Sequence, residues 1–132
     1  MTEASDLPAF FRRIAQFPGE FVIYDDGYRG WTYTYADLAR MAGALETRLR
    51  TEGIRKGDKV VVWSESRPGW IAALWACIME GVIVVPIDPQ ASIALFRRLE
   101  ERVHPRLLLL GNRVPPIGAE NATPIWRMTD IE

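Results

Sequence analysis

Apolar positions change their spacing repeatedly along this chain, and each change marks an element. Phe10, Ile14 and Phe17 recur at helical intervals, which predicts a short helix over residues 6–17 with Ser5 or Asp6 as its cap and Pro8 in the first turn. Strand-forming residues then take over. Residues 20–24 and 28–33 read as two strands about an Asp26-Gly27 turn, a hairpin signal. Tyr35, Leu38, Ala42, Leu45 and Leu49 return to the helical period as one stripe of a long helix running to about Glu52. Arg40, Glu46, Arg48 and Arg50 fall on its polar face. Thr34 is its cap, and Asp37 stands where its side chain can reach back to the cap amide. Gly53 sits where a left-handed residue ends a helix.

Beyond this point alternation is absent. Residues 60–63 and 82–85 are uninterrupted β-branched or aromatic runs, which predicts strands covered on both faces, as in a parallel sheet. Between them, residues 68–80 are apolar nearly all round, the pattern of a deeply buried helix, and Gly81 stops it. Residues 92–103 form an amphipathic helix with Arg97–Glu101 as an exposed pair, and residues 107–110 a third buried strand. A Pro/Gly-rich loop over 111–122 leads to a last short strand over 123–128. The predicted fold class is α/β: a β-hairpin followed by βαβαβ, with a mostly parallel sheet flanked by helices. It forms a single domain, with residues 1–33 as helix plus hairpin, 34–111 as the α/β core and 112–132 as loop and last strand.

Composition narrows the classes of function. At 132 residues, 48% hydrophobic and 25% charged, the chain can bury a core of its own. A net charge of −1 gives no electrostatic basis for nucleic acid or an anionic membrane as partner. Cys77 is the only cysteine and cannot pair within the chain, which points to a reduced, cytoplasmic setting. The N-terminus lacks the basic start and apolar run of a signal peptide. The apolar stretch 70–79 is too short for a transmembrane segment, which needs about 20 residues.

In open α/β sheets ligands sit beyond the carboxyl ends of the strands, so residues 64–67, 87–90 and 111–113 are the candidate loops. Neither GxGxxG nor GxxxxGK[ST] occurs in them. Ser64 and Ser66 read better as caps of the helix starting at Pro68 than as phosphate ligands. Asp88, between two prolines, reads as a turn former, and His104 as a helix-end surface residue. Asp25-Asp26 is a hairpin tip, Glu100-Glu101 a solvated helix face, and the five tryptophans are core rather than a base-stacking platform. One histidine and one cysteine make no metal-ligand cluster. The residues therefore assign no catalytic, cofactor-binding or metal site to this chain.

Three segments carry a family resemblance, and they come in the family's order. They are Trp31-Thr32-Tyr33-Thr34-Tyr35-Ala36-Asp37-Leu38, Gly53-Ile54-Arg55-Lys56-Gly57-Asp58-Lys59-Val60, and Met79-Glu80-Gly81-Val82-Ile83-Val84-Val85-Pro86-Ile87-Asp88-Pro89. They resemble the (L/W)TY-x-EL, GV-x-x-GD-x-V and KAG-x-x-x-VPLDP motifs of the adenylate-forming enzymes. Thr34, Tyr35, Leu38, Gly53, Gly57, Asp58, Gly81, Pro86, Asp88 and Pro89 carry the match as scaffold residues. The resemblance implies the first subdomain of that fold, from the N-terminal portion of an AMP-forming acyl-CoA synthetase. Such a parent activates a carboxylic acid with ATP and Mg²⁺ and passes the acyl group to CoA. Glu80 and Val82-Ile83-Val84 depart from the family's usual residues and tilt the expectation towards a fatty or aryl acid. The family's ATP-binding loop and lysine come later in its sequence, so no catalytic residue carries over, and the isolated chain is expected to be inactive. Its expected partners are the remainder of the parent enzyme and, through surfaces left uncovered, further copies of itself. Another reading is a standalone α/β binding or interaction module without catalysis. A receiver-type domain would need an acidic cluster that Asp88 alone does not supply.

Overall fold

A computed structural model describes residues 6–115, 117 and 121–132. Ser5, the alternative first cap, lies outside the described residues, as does part of the 111–122 loop. Asp6 caps helix α1 (Leu7–Ile14), its carboxylate accepting from the Ala9 amide at 2.8 Å. The helix is shorter than its apolar spacing suggests, and its buried face differs from the predicted one. Phe11 and Ile14 are buried, while Phe10 and Phe17 are 46% and 43% exposed. Phe11 wins because it faces Trp75, with ring centroids 5.0 Å apart.

Strands β1 (Glu20–Asp25) and β2 (Gly30–Thr34) pair antiparallel as a separate two-stranded sheet. Asp25 pairs with Gly30, so the connection spans residues 26–29 and is longer than a two-residue Asp26-Gly27 turn. The Asp26 carboxylate organises it, accepting from the amides of Tyr28 and Arg29 at 2.9 and 2.8 Å.

Both bonds of the capping box form at the start of helix α2 (Tyr35–Thr51). The Asp37 amide donates to Thr34 Oγ1 at 3.0 Å, and the Thr34 amide donates to Asp37 Oδ2 at 2.8 Å. Gly53 ends the helix at φ 76°, and the Ile54 amide turns back to the Leu49 carbonyl at 2.9 Å. Leu38, Ala42, Leu45 and Leu49 are buried as the stripe requires. The opposite face is less solvated than predicted: Arg48 lies over the Trp126 ring, and Glu46 is half-buried beside Arg50.

Four parallel strands form the main sheet in the order β4 (Ile83–Ile87), β3 (Lys59–Trp63), β5 (Leu107–Leu110), β6 (Ile125–Arg127). Helices α3 (Pro68–Glu80) and α4 (Ile93–Val103) make the crossovers. Val60, Val62, Leu107 and Leu109 face a core shared with α1, α2 and α3. Val61, Trp63, Leu108 and Leu110 face a second core around Phe96 of α4. Helices therefore cover both faces, which is why β3 and β5 read as continuous apolar runs.

β4 departs from that expectation. It is an edge strand, with nothing among the described residues pairing on its outer side, and its Ile83 is 47% exposed. The Ile83 amide points inward to the Asp58 carbonyl at 2.8 Å. Strand alternation then turns position 86 outward, where proline has no amide to offer.

α3 is buried at Ala72, Ala73, Ala76 and Cys77 but only half-buried at Ile71, Leu74 and Ile78, so its apolar circumference is covered on one side. Ser92 caps α4 through the Leu95 amide at 3.1 Å. Arg97 pairs with Glu100 at 3.3 Å rather than with Glu101, because its guanidinium also leans onto Asn121. β6 is shorter than the predicted 123–128, since the chain tightens into a 3₁₀ turn over Met128–Asp130. Among the described residues no helix is long and apolar enough to cross a membrane.

Candidate functional site

β3 and β5 are adjacent and parallel, with Trp63 opposite Leu110, so the loops that follow them leave the sheet side by side. Glu65 ties these loops together: its carboxylate accepts from the amides of Asn112 and Arg113 at 3.1 and 3.0 Å. Gly111 makes the approach possible. A Cβ there would collide with Glu65 Oε2 and Ser64 Oγ.

Arg67 is the centre of the arrangement. Its Nη1 donates to Glu65 at 2.8 Å, while Nε and Nη2 fork onto the two carboxylate oxygens of Glu132 at 2.6 Å each. Glu132 Oε2 also accepts from the Gly69 amide in the first turn of α3 at 3.0 Å. The side chains of Arg67, Glu65 and Glu132 are only 7%, 14% and 12% exposed, although the Glu132 main chain is open to solvent. The guanidinium carbon lies 5.7 Å from the Tyr24 ring centroid, which brings the hairpin into the same network. Between hairpin and loops runs a cleft of about 420 Å³, whose walls include Tyr24, Trp31, Tyr33, Glu65, Arg113 and Glu132.

The electrostatics favour a fixed ionic brace. Burial pushes the Glu65 carboxyl up, but the Arg113 and Asn112 amides and the Arg67 guanidinium outweigh it and hold the group below the ordinary range. The Glu132 hydrogen bonds hold Arg67 above its ordinary value, against its own burial. Tyr33 is raised by burial first and then by the charge of Glu132. Both carboxylates are engaged by the guanidinium and by backbone amides, so neither is free to act as a general base.

Several predicted roles change at this site. The serines do not cap α3: Arg67 occupies the cap position without a side-chain cap bond, Ser64 donates to the Glu65 carbonyl at 2.8 Å, and Ser66 is exposed. Glu132 takes the first-turn amide instead, from 63 positions away. Glu100 is not a solvated residue either. It accepts from Thr123 Oγ1 at 2.5 Å and Asn121 Nδ2 at 3.3 Å, holding down the approach to β6.

The turn at Asp88 and the helix end at His104 stand as expected. Asp88 forms its turn through the Gln90 amide at 2.8 Å, and its carbonyl accepts from Trp63 Nε1 at 3.0 Å. His104 is an exposed helix end at φ 51°. Trp63, Trp75 and Trp126 are buried, while Trp31 and Trp70 are half-buried. The scaffold motifs meet at the amino end of the sheet: the Gly57 amide donates to the Gly81 carbonyl at 3.0 Å, and Asp58 accepts from the Arg55 amide at 2.9 Å. Thr34, Tyr35 and Leu38 open α2, while Pro86, Asp88 and Pro89 lie at the end of β4 and in its exit turn. Among the described residues no cluster of three metal-ligating side chains occurs.

A sequence model of the family described as AMP-binding enzyme matches residues 10–126. The chain is 36% identical over 59 residues to a feruloyl-CoA synthase of Amycolatopsis sp, covering 45% of this chain and 12% of that one. It is 37% identical over 87 residues to the nonribosomal peptide synthetase sirP of Leptosphaeria maculans, covering 66% of this chain and 4% of that one. The O-succinylbenzoate coenzyme A synthetase MenE from Bacillus subtilis, solved with ATP and magnesium ion, superposes with a TM-score of 0.76. That match covers 92% of this chain and 33% of that one at 21% identity, a likeness of fold. The chain thus spans 12% or less of the length of these two sequence relatives.

Proposed function

The chain belongs to the AMP-binding enzyme family, and from that premise we propose that it is the first α/β subdomain of an AMP-forming acid–thiol ligase. The family match from residue 10 to residue 126 carries this reading. In it, the parent enzyme activates a carboxylic acid, a fatty acid by preference, as the acyl-adenylate and transfers the acyl group to CoA. Attack on the α-phosphorus needs cations and oriented donors around the developing charge. The cleft beside Arg67 does not suit that chemistry, because Arg67 is consumed by two carboxylates and Glu132 takes the Gly69 amide at the α3 N-terminus. ATP, Mg²⁺ and CoA are therefore assigned to the remainder of the parent, which is also the chain's first partner. The residues of this chain supply scaffold, in a cytoplasmic setting.

ATP–pyrophosphate exchange by the 132-residue chain and by the longest product of its gene tests this reading. The expected result is exchange by the longer product alone. Exchange by the 132-residue chain would overturn the scaffold reading. A second reading, an adenylation domain of peptide-synthetase type, is favoured by the match to sirP over 87 residues. The acceptor separates the two: free CoA gives a soluble thioester, and a carrier protein gives a protein-bound one. If no acid supports exchange in either form, the chain is a binding or interaction module without catalysis. Self-association through uncovered apolar residues such as Ile83 and Leu95 completes the proposal, and sedimentation over a wide concentration range tests it.

A further inference from the structure

We propose that Arg67 and Glu132 form a latch that straps residues 128–132 across the start of α3 and sets the aromatic cleft. This inference does not depend on the catalytic reading. Three observations carry it. The fork between the two side chains is bidentate at 2.6 Å on both arms and nearly shielded from water, the geometry in which an ion pair acts as a directional joint. Glu132 adds a third bond to the Gly69 amide, so one carboxylate caps α3 and fastens the segment that follows β6. Arg67 in turn touches Glu65, which holds the loop after β5, and faces the Tyr24 ring of the hairpin.

The apolar core anchors the same segments at other points, through Met128 and Ile131 on one side and Phe21, Val22 and Tyr33 on the other, so the latch governs the Glu132 end of the strap and the Tyr24 end of the hairpin. The hairpin is not hydrogen-bonded into the main sheet; it is a sheet of its own. Its Tyr24 meets the carboxyl end of the sheet at Arg67, and Gly69 leaves no side chain where the Glu132 carboxylate lies, since a Cβ there would stand 2.8 Å from Oε2. Two carboxylates share one guanidinium, and each is completed by backbone amides, so loss of either the fork or the carboxylate charge breaks the joint locally. Release would free the Glu132 side chain from the start of α3 and uncouple Tyr24 from Arg67, while Met128 and the two cores stay packed.

Hydrogen exchange read residue by residue on the 132-residue chain tests the latch, with E132Q and R67K as variants. E132Q keeps the volume and removes the charge, while R67K keeps the charge and removes the fork. Exchange at the Gly69 amide should rise about tenfold or more in E132Q, the size expected on losing a charge-assisted bond. Both variants should raise exchange in β1 near Tyr24 and expose Trp31 to a quencher. Amides of β3 and β5 should keep their wild-type protection. Unchanged protection at Gly69 and β1 would overturn the proposal. An equal rise at every amide would overturn it too, because it would make the pair a contributor to global stability alone.

Discussion

The guanidinium of Arg48 lies 3.8 Å from the centroid of the Trp126 ring and closes the last strand of the sheet against the long helix. Trp126 is buried, and its strand pairs on one side only, with β5, so this contact covers the ring beside the open edge of the sheet among the described residues. W126A should cost about 3–5 kcal/mol and R48A about 1 kcal/mol in urea unfolding. The double variant should lose less than the sum of the two. Additive losses would show that Arg48 acts elsewhere than on the ring.

Two glycines with opposite surroundings should answer alanine in opposite directions. Gly43 sits inside α2 with nothing within 4 Å of where a Cβ would stand, so G43A should stabilise by about 0.5–1 kcal/mol through helix propensity. A Cβ at Gly111 would be driven into Glu65 and Ser64, so G111A should destabilise by about 1–3 kcal/mol and loosen the Glu65 bridge. Paired thermal melts decide the matter. Equal shifts would mean that the loops after β3 and β5 can separate freely.

Glu65 has a pH signature. Its folded carboxyl is held below the ordinary value of 4.5, so it contributes stability that is fully present above that value. That contribution is lost as pH falls through the lower, folded value. Wild type should therefore exceed E65Q most above the ordinary value, and the gap should shrink as the solution is acidified below it. A gap independent of pH over that range would assign the effect of E65Q to packing rather than to charge.

Cys77 should be inert in the folded chain. It is fully buried in α3, and burial pushes its thiol up to about 12. A disulfide reagent at about pH 8 should label it only as fast as the protein unfolds, with full labelling in denaturant. Rapid labelling in native buffer would show that α3 separates from the sheet.

Legibility from sequence followed the range of the interaction. The capping box at Thr34 and Asp37 and the Gly53 ending of α2 could be read because all their partners lie within a few residues. β3 and β5 could be read because burial on both faces leaves an unbroken apolar run. The same run in β4 misled, since an edge strand and a central one look alike until their neighbours are known. Phe10 and Phe11 could not be separated without Trp75. Arg67 meeting Glu132 was out of reach, because 65 positions separate them and ionic pairs leave no periodic trace.

Pro86 gives the sheet a direction of growth. It stands on the outer side of β4, where one of the two outward positions of that strand, 84 and 86, has no hydrogen to donate. The opposite margin, β6, carries no proline within its three residues. A further strand, from this chain or another, therefore meets a complete row of donors on one side only. Addition at β6 extends the ladder in step, whereas addition at β4 would skip a rung.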